Sequence, residues 1–231
     1  MDFQGVLVGF DTETTGVDTG SDRIVTAAVV VRSPGRADEV LNWLADPGVE
    51  IPQAASDVHG ITTEYARAHG RPAAEVLDEI ASTLAALVST GGTVVAFNAS
   101  FDLAILRAEL VRYGLPTLEE RLGGELRAVL DPLVIDRAVD RWRKGKRTLG
   151  SLVEHYGIAA PQGDLHTADV DVAATLDVLG AILARHPEVG ALSEAERFEW
   201  QRQAHRKWAE SFNDWLRRQG RGNNLASTQW P

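Results

Sequence analysis

The stretch Phe10-Asp11-Thr12-Glu13-Thr14-Thr15-Gly16 follows directly on an apolar run, Val6-Leu7-Val8-Gly9-Phe10. The run reads as a buried strand. Side chains alternate along a strand, so Asp11 and Glu13 project from the same face. Two carboxylates side by side at the end of a core strand repel each other and resist dehydration. A divalent cation offsets both costs, because hard cations take oxygen ligands. The plainer alternative is a strand that runs out into a polar turn ending at Gly16. The choice between them turns on whether the chain brings more acids to the same place.

The segments that follow alternate in type. Residues 24–32 are rich in β-branched side chains and read as a second strand. Ser33-Pro34-Gly35 is a turn signal, after which residues 39–44 return as a third, antiparallel strand. Residues 47–62 read as irregular. Residues 72–89 carry apolar positions at helical spacing, and residues 93–97 form a buried strand. Ser100 is the expected N-cap of a helix through Tyr113. A short strand at 128–130 leads into Asp131-Pro132, a helix start with Asp131 as cap and Asp136 as a surface residue. Thr148 caps a short helix, and residues 167–185 form a long one. Such alternation implies an α/β layer architecture.

The remainder differs. Ser193 and Glu196 make a capping-box pattern. Trp200, Ala204, Trp208, Phe212 and Trp215 then form a narrow aromatic stripe on a charged helix. Residues 221–231 read as a loosely held tail carrying Trp230. The expected organisation is a domain over residues 1–186 and a helical extension with tail over 187–231.

The formal net charge of −10 argues against a passive nucleic-acid binder. It argues much less against a metal-dependent nuclease, whose acids are masked by ions at work. The chain has no cysteine, which excludes disulfides and zinc–thiolate sites and fits a reducing compartment. No apolar run approaches the ~20 residues that span a bilayer, and no secretory signal opens the chain. A cytoplasmic protein without a membrane partner is therefore expected.

Two later segments supply the missing acids. Asn98-Ala99-Ser100-Phe101-Asp102 puts Asp102 in the first turn of a helix that follows a core strand. His166-Thr167-Ala168-Asp169-Val170-Asp171 puts His166 at a loop–helix junction and Asp171 one turn into the helix. These three motifs, in this order, resemble those of the DEDDh 3′–5′ exonucleases, in the form found in the proofreading epsilon subunit of bacterial DNA polymerase III. Val58-His59-Gly60-Ile61-Thr62 and the Lys146-Arg147-Thr148-Leu149 run also resemble segments of that group. The resemblance covers about residues 5–185. Phe97 departs from it, standing where many relatives have histidine, at a position that is not a ligand in the family.

The resemblance implies a ribonuclease-H-like fold: a mixed, five-stranded sheet flanked by helices, here with a carboxy-terminal helical extension. It implies that Asp11, Glu13, Asp102 and Asp171 hold two divalent cations, Mg²⁺ or Mn²⁺. His166 would be the general base, suited by an ordinary pKa near ~6.5. The implied reaction releases nucleoside 5′-monophosphates from single-stranded 3′ ends, DNA before RNA, in proofreading or repair. RNA 3′-end trimming and a non-catalytic nucleic-acid-binding subunit of a replication complex are the alternatives. Candidate substrate contacts are Thr14, Thr15, His59, Asn98 and Phe101. Arg143, Lys144 and Lys146 in the basic run 141–147 are candidates for gripping a phosphate backbone. The aromatic stripe of the carboxy-terminal helix is expected to pack against the domain core or a second subunit rather than on nucleic acid, and this helix is the candidate surface for a polymerase or for self-association.

Overall fold

The computed structural model describes residues 5–159, 168–222 and 225–231. Its centre is β1, Leu7–Thr14, which carries Asp11 and Glu13 inside the strand rather than beyond it. Strand β2 (Ile24–Arg32) pairs antiparallel with one edge of β1, and β3 (Glu39–Asp46) pairs antiparallel with β2. On the other edge, β5 (Thr93–Val95) runs parallel to β1, and β6 (Val129–Leu130) runs parallel to β5. A two-residue strand, β4 (Arg71–Pro72), lies parallel to the end of β3, so the sheet order is β4-β3-β2-β1-β5-β6. The mixed sheet expected with five strands thus has six. Proline cannot donate to a ladder and is tolerated at an edge, where β4 lies.

Ten helices cover this sheet among the described residues. Helix α1 (Gln53–His59) lies within the stretch read from sequence as irregular, and α2 (Thr63–His69) follows it. At seven residues each they are too short to show a helical period. Helix α3 (Ala73–Ser89) buries Val76, Leu77, Ile80 and Leu84, the apolar face visible in the sequence. Helix α4 (Ala99–Arg112) starts one residue before Ser100, with Asn98 rather than Ser100 at the N-cap position. After α5 (Leu118–Leu122) come α6 (Pro132–Val139), capped by Asp131, and α7 (Leu149–Tyr156), capped by Thr148. Helix α8 spans Ala168–Arg185, α9 spans Pro187–Gly190, and α10 runs from Glu194 to Arg218 behind the Ser193–Glu196 capping box.

Strand alternation sorts the core into two layers. Val8 and Phe10 of β1, with Ala27 and Val29 of β2, pack on one face with α3 and α4. Leu7 of β1, with Ala28 and Val30 of β2, packs on the other with α7 and α8. Burying each such Leu or Val side chain contributes about 1.5–3 kcal/mol. Parity then places Asp11 and Glu13, which share a face with Leu7 and Gly9, toward α8. Gly9 makes that approach possible. A Cβ there would lie 2.3 Å from Val172 Cγ1 and 3.2 Å from Leu176 Cδ1, both on α8. The absent side chain lets α8 sit close enough to deliver Asp171.

Helix α10 and the tail overturn two expectations. The face that α10 buries most deeply is Phe198, Gln201, His205, Ala209, Asn213 and Leu216, and of the aromatic stripe only Trp200 and Ala204 pack, partly buried, against the core. Trp208, Phe212 and Trp215 instead stack along the flank, with Phe212 and Trp215 exposed. The tail is not loose at Trp230, which is 3% exposed and belongs to the same core as α3 and α4. Periodicity missed this because the inward face carries polar amides that bond to backbone. Gln201 donates to Val129 O at 2.9 Å and accepts from Asp131 N at 2.8 Å, extending the β6 edge as a strand would. Asn213 does the same for Ala226, at 2.9 and 2.8 Å. No helix among the described residues is long and apolar enough to cross a membrane.

Candidate active site

The parallel strands β1 and β5 end at the same edge of the sheet, the usual place for a ligand crevice in open α/β sheets. There β1 presents Asp11 and Glu13, α8 presents Asp171, the β5–α4 connection presents Asn98, and the first turn of α4 presents Asp102. Carboxylate oxygens of Asp11, Glu13 and Asp171 lie within 4.8 Å of one another. Asp102 enters from the opposite layer. Its Oδ1 accepts from Thr12 Oγ1 at 2.7 Å and from Thr12 N at 3.1 Å, which fixes the carboxyl against the middle of β1.

The electrostatics of this group run against the protein. Burial raises the Asp11 pKa well above the usual carboxylate range, and Asp102, Glu13 and Asp171 push it the same way. Burial also lifts Glu13 to about 7, with Asp171 adding to it. Asp102 is lifted to about 7 by burial, against the opposing pull of the Thr12 hydroxyl. Crowded, dehydrated acids are the donor set of a hard divalent cation. Three carboxylate oxygens close enough to share one ion satisfy the fit. A cation there would reverse the sign of the local field and return these groups to their ionised form.

A cleft of about 310 Å³ opens beside Glu13, lined by Asn42, Trp43, His59, Ile61 and Tyr65. His59, at the end of α1, accepts from Ile61 N at its Nδ1 at 3.2 Å. Burial lowers its pKa, with the Thr14 backbone pulling the other way, so the ring is neutral at neutral pH. Thr14 Oγ1 donates to Gly16 O at 2.7 Å, and Thr15 Oγ1 donates to Asp22 Oδ1 at 2.9 Å. Both threonine hydroxyls thus serve the turn that carries the chain from β1 to β2.

Asn98 is exposed and has φ of 69°, the single left-handed non-glycine among the described residues. Asparagine tolerates that region best of the ordinary residues, and such strain concentrates at functional sites. Phe101 is half-buried against the α3–α4 core. Within the basic run, Arg143 turns inward: its Nη2 donates to Asp136 Oδ2 at 2.6 Å. Arg147 bonds the same oxygen, and Tyr156 OH donates to Asp136 Oδ1 at 2.9 Å. Asp136, expected at the surface, is therefore fully buried at the centre of an ion-pair network. Its three partners lie 7, 11 and 20 residues away, too scattered for a sequence pattern to reveal. Lys144 and Lys146 remain exposed. His166 lies outside the described residues.

Three supporting residues were not singled out by the motifs. Thr12 stands between the two acids of β1, and its parity toward α4 was the available signal. Gly9 sets the approach of α8. Asp131, read only as a helix cap, also accepts from Asn98 N at 3.1 Å and Ala99 N at 3.0 Å, holding the start of α4.

Comparison with known proteins agrees with this geometry. Residues 8–179 match the RNase T family, described as Exonuclease. A DNA polymerase III subunit epsilon-like protein from Rhodobacter capsulatus is 36% identical over 187 residues, covering 78% of this chain and 24% of that protein. The PolC-type DNA polymerase III of Streptococcus thermophilus is 27% identical over 172 residues, covering 74% of this chain and 11% of that one. The chain thus spans about a quarter or less of the length of these relatives. Among solved structures, E. coli Exonuclease I in complex with a dA16 oligonucleotide has the same fold, with a TM-score of 0.66 at 20% identity, covering 88% of this chain and 44% of that one. The acids of β1, α4 and α8 all fall inside the matched span, and the chain belongs to the RNase T exonuclease family.

Proposed function

We propose that this chain is a metal-dependent 3′–5′ exonuclease that shortens single-stranded DNA from its 3′ end and releases nucleoside 5′-monophosphates. The observation that carries this reading is the cluster of Asp11, Glu13 and Asp171 oxygens at the mouth of an aromatic-lined cleft. Asp11, Glu13 and Asp171, completed by Asp102, would hold two divalent cations, Mg²⁺ or Mn²⁺. When bound, such cations stabilise the charge that builds on the entering and departing oxygens of a phosphodiester.

The residues of the chain do the rest. Tyr65 on the wall of the cleft offers a ring to a base, with Glu13 beside its phosphate. Thr12 holds Asp102 in one orientation. Neutral His59 supplies a polar edge within the cleft. His166, by the motif it completes, would accept a proton from the attacking water. Exposed Lys144 and Lys146 would meet phosphates further along the strand, whereas Arg143, paired with Asp136, acts mainly in positioning their loop. The polymerase relationship of the epsilon-like relative supports DNA as substrate and work alongside a polymerase.

The test uses single-stranded DNA and RNA oligonucleotides, labelled at either end, with Mg²⁺ and with chelator. Stepwise shortening of 5′-labelled DNA, immediate release of mononucleotide from 3′-labelled DNA, and loss of both under chelator are expected. No chelator-sensitive shortening of any oligonucleotide refutes the reading, and preferential shortening of RNA replaces its substrate.

A further inference from the structure

Asp131 is 1% exposed and lies at the end of β6, yet its carboxylate gathers donors from three separate parts of the chain. Oδ1 accepts from Leu133 N at 2.9 Å and Val134 N at 3.4 Å, the first turn of α6. Oδ1 also accepts from Asn98 N at 3.1 Å, and Oδ2 accepts from Ala99 N at 3.0 Å, the start of α4. The fifth donor is the indole Nε1–H of Trp230, 3.2 Å from Oδ2 and 99 residues away in sequence. That ring is buried beside Phe198, with centroids 5.7 Å apart.

The segment carrying Trp230 is clamped to α10. Asn213 makes both amide bonds to Ala226, and His205 Nε2 lies 3.0 Å from Ser227 O. Gln201 of the same helix holds Asp131 N. The residues after the family match, which ends at 179, therefore close on the carboxylate that fixes where α4 begins. Asp102 sits in the first turn of α4, and its bond to Thr12 requires that turn to be correctly placed.

We propose that Trp230 is a positioning residue for the active site: by donating to Asp131 Oδ2 it locks the carboxylate that anchors Asn98 and Ala99, and so holds Asp102 against Thr12. Trp230 touches no substrate in this scheme. Residues 225–231 act as a latch on the catalytic edge, and releasing them loosens the start of α4 while leaving the cleft beside Glu13 intact. The scheme rests on the exonuclease reading for its kinetic consequence, but the coupling itself is a property of the fold.

The experiment compares the full chain with Trp230→Phe and Asn213→Leu. Trp230→Phe keeps a ring beside Phe198 and removes the donor together with some buried volume, whose general cost the Val94 amide and the unfolded fraction report. Asn213→Leu frees residue 226 without touching Asp131. Hydrogen exchange at the Asn98 and Ala99 amides is read against the Val94 amide, which bonds Ala128 O in the sheet. Exchange at Asn98 and Ala99 should rise about tenfold in Trp230→Phe, with Val94 unchanged, and less in Asn213→Leu. On a 3′-labelled single strand with Mg²⁺, kcat per folded molecule should fall about tenfold while KM stays within about twofold, because orientation rather than binding is lost. Unchanged Asn98 and Ala99 exchange, a loss confined to KM, or a loss that only tracks the unfolded fraction overturns the proposal. A wild-type chain that hydrolyses nothing refutes the exonuclease reading instead, and the exchange data still decide the coupling.

Discussion

Two groups of buried acid flank the start of α4, and the fold treats them in opposite ways. At Asp131 the chain supplies five N–H donors to one carboxylate. Burial raises its pKa there, and the bonds from Asn98, Trp230, Val134 and Leu133 oppose the rise. At Asp11 burial is again the largest cause, but the neighbours are Asp102, Glu13 and Asp171, which all push the same way. A protein able to satisfy one dehydrated carboxylate completely has left the other group crowded and repulsive. The first arrangement is structural, since four of its donors are backbone N–H groups and the fifth is the buried Trp230 indole. The second is suited to chemistry, because acids that raise one another's pKa favour a bound cation.

The same isosteric change should therefore have opposite consequences at the two sites. Asp11→Asn or Asp171→Asn should lower hydrolysis by about a thousandfold or more, on the order of 4 kcal/mol of barrier. In the metal-free protein Asp11→Asn should leave the melting temperature unchanged or raised, because a carboxyl crowded by three other acids is gone. Asp131→Asn should do the reverse, turning an NH₂ group toward N–H donors. Urea unfolding should report a loss of about 3 kcal/mol, the scale for leaving buried donors unmet. A destabilised Asp11→Asn, or an Asp131→Asn as stable as wild type, would break the contrast.

The contrast also has a pH signature. Glu13 and Asp102 have folded-state pKa values of about 7, raised from 4.5 and 3.8. The folded state thus binds protons that the unfolded chain does not yet hold, so stability rises as pH falls. In the metal-free protein the penalty is complete above about pH 7 and shrinks as pH falls toward the unfolded values near 4. Thermal melts under chelator should show this climb from pH 8 to pH 5, before other groups dominate. Added Mg²⁺ should raise the melting temperature more at pH 8, where the acids are ionised, than at pH 5.5. An Mg²⁺ effect that grows toward acid would contradict the assignment of the acids as its ligands.

Gly9 tests how the crowded group is assembled. Gly9→Ala places a methyl 2.3 Å from Val172 Cγ1, so α8 or the valine must move. Overpacking of this kind costs about 1–3 kcal/mol. Because Val172 adjoins Asp171, hydrolysis should fall more than stability alone predicts. Activity per folded molecule, measured below the melting transition, should therefore drop in Gly9→Ala. Unaltered activity would mean that Asp171 is placed independently of the β1–α8 approach.

Much of this was legible in the residues because the site rests on short local patterns. The alternation of β1 put Asp11 and Glu13 on one face, and strand-then-helix at residues 93–112 put Asp102 in a first turn. The two layers of the core followed from β-branched strands and the apolar face of α3. The long-range polar pairings were not legible. Asp136 reads as a surface residue until Arg143, Arg147 and Tyr156 converge on it, and nothing local signals that convergence. Gln201 and Asn213 read as solvated because an amide that pairs with backbone has no periodic signature. Trp230 reads as a tail residue because its partner lies 99 positions earlier. Apolar periodicity reports which residues avoid water, but it is silent about which polar groups have found each other.

The basic run supplies the mildest test of the division between inward and outward charge. Arg143 is committed to Asp136, whereas Lys144 and Lys146 face solvent. Neutralising both lysines should leave unfolding unchanged and weaken binding of a single strand modestly. If each meets one phosphate, the slope of log affinity against log salt should flatten by about 1.4, at ~0.7 per contact. Arg143→Gln should instead destabilise the fold by roughly 1–3 kcal/mol, leaving part of a buried carboxylate unpaired, and should alter the slope little. If Arg143→Gln flattens the slope as the lysine pair does while stability holds, then the ion pair with Asp136 opens on binding and the arginine belongs with the outward charges.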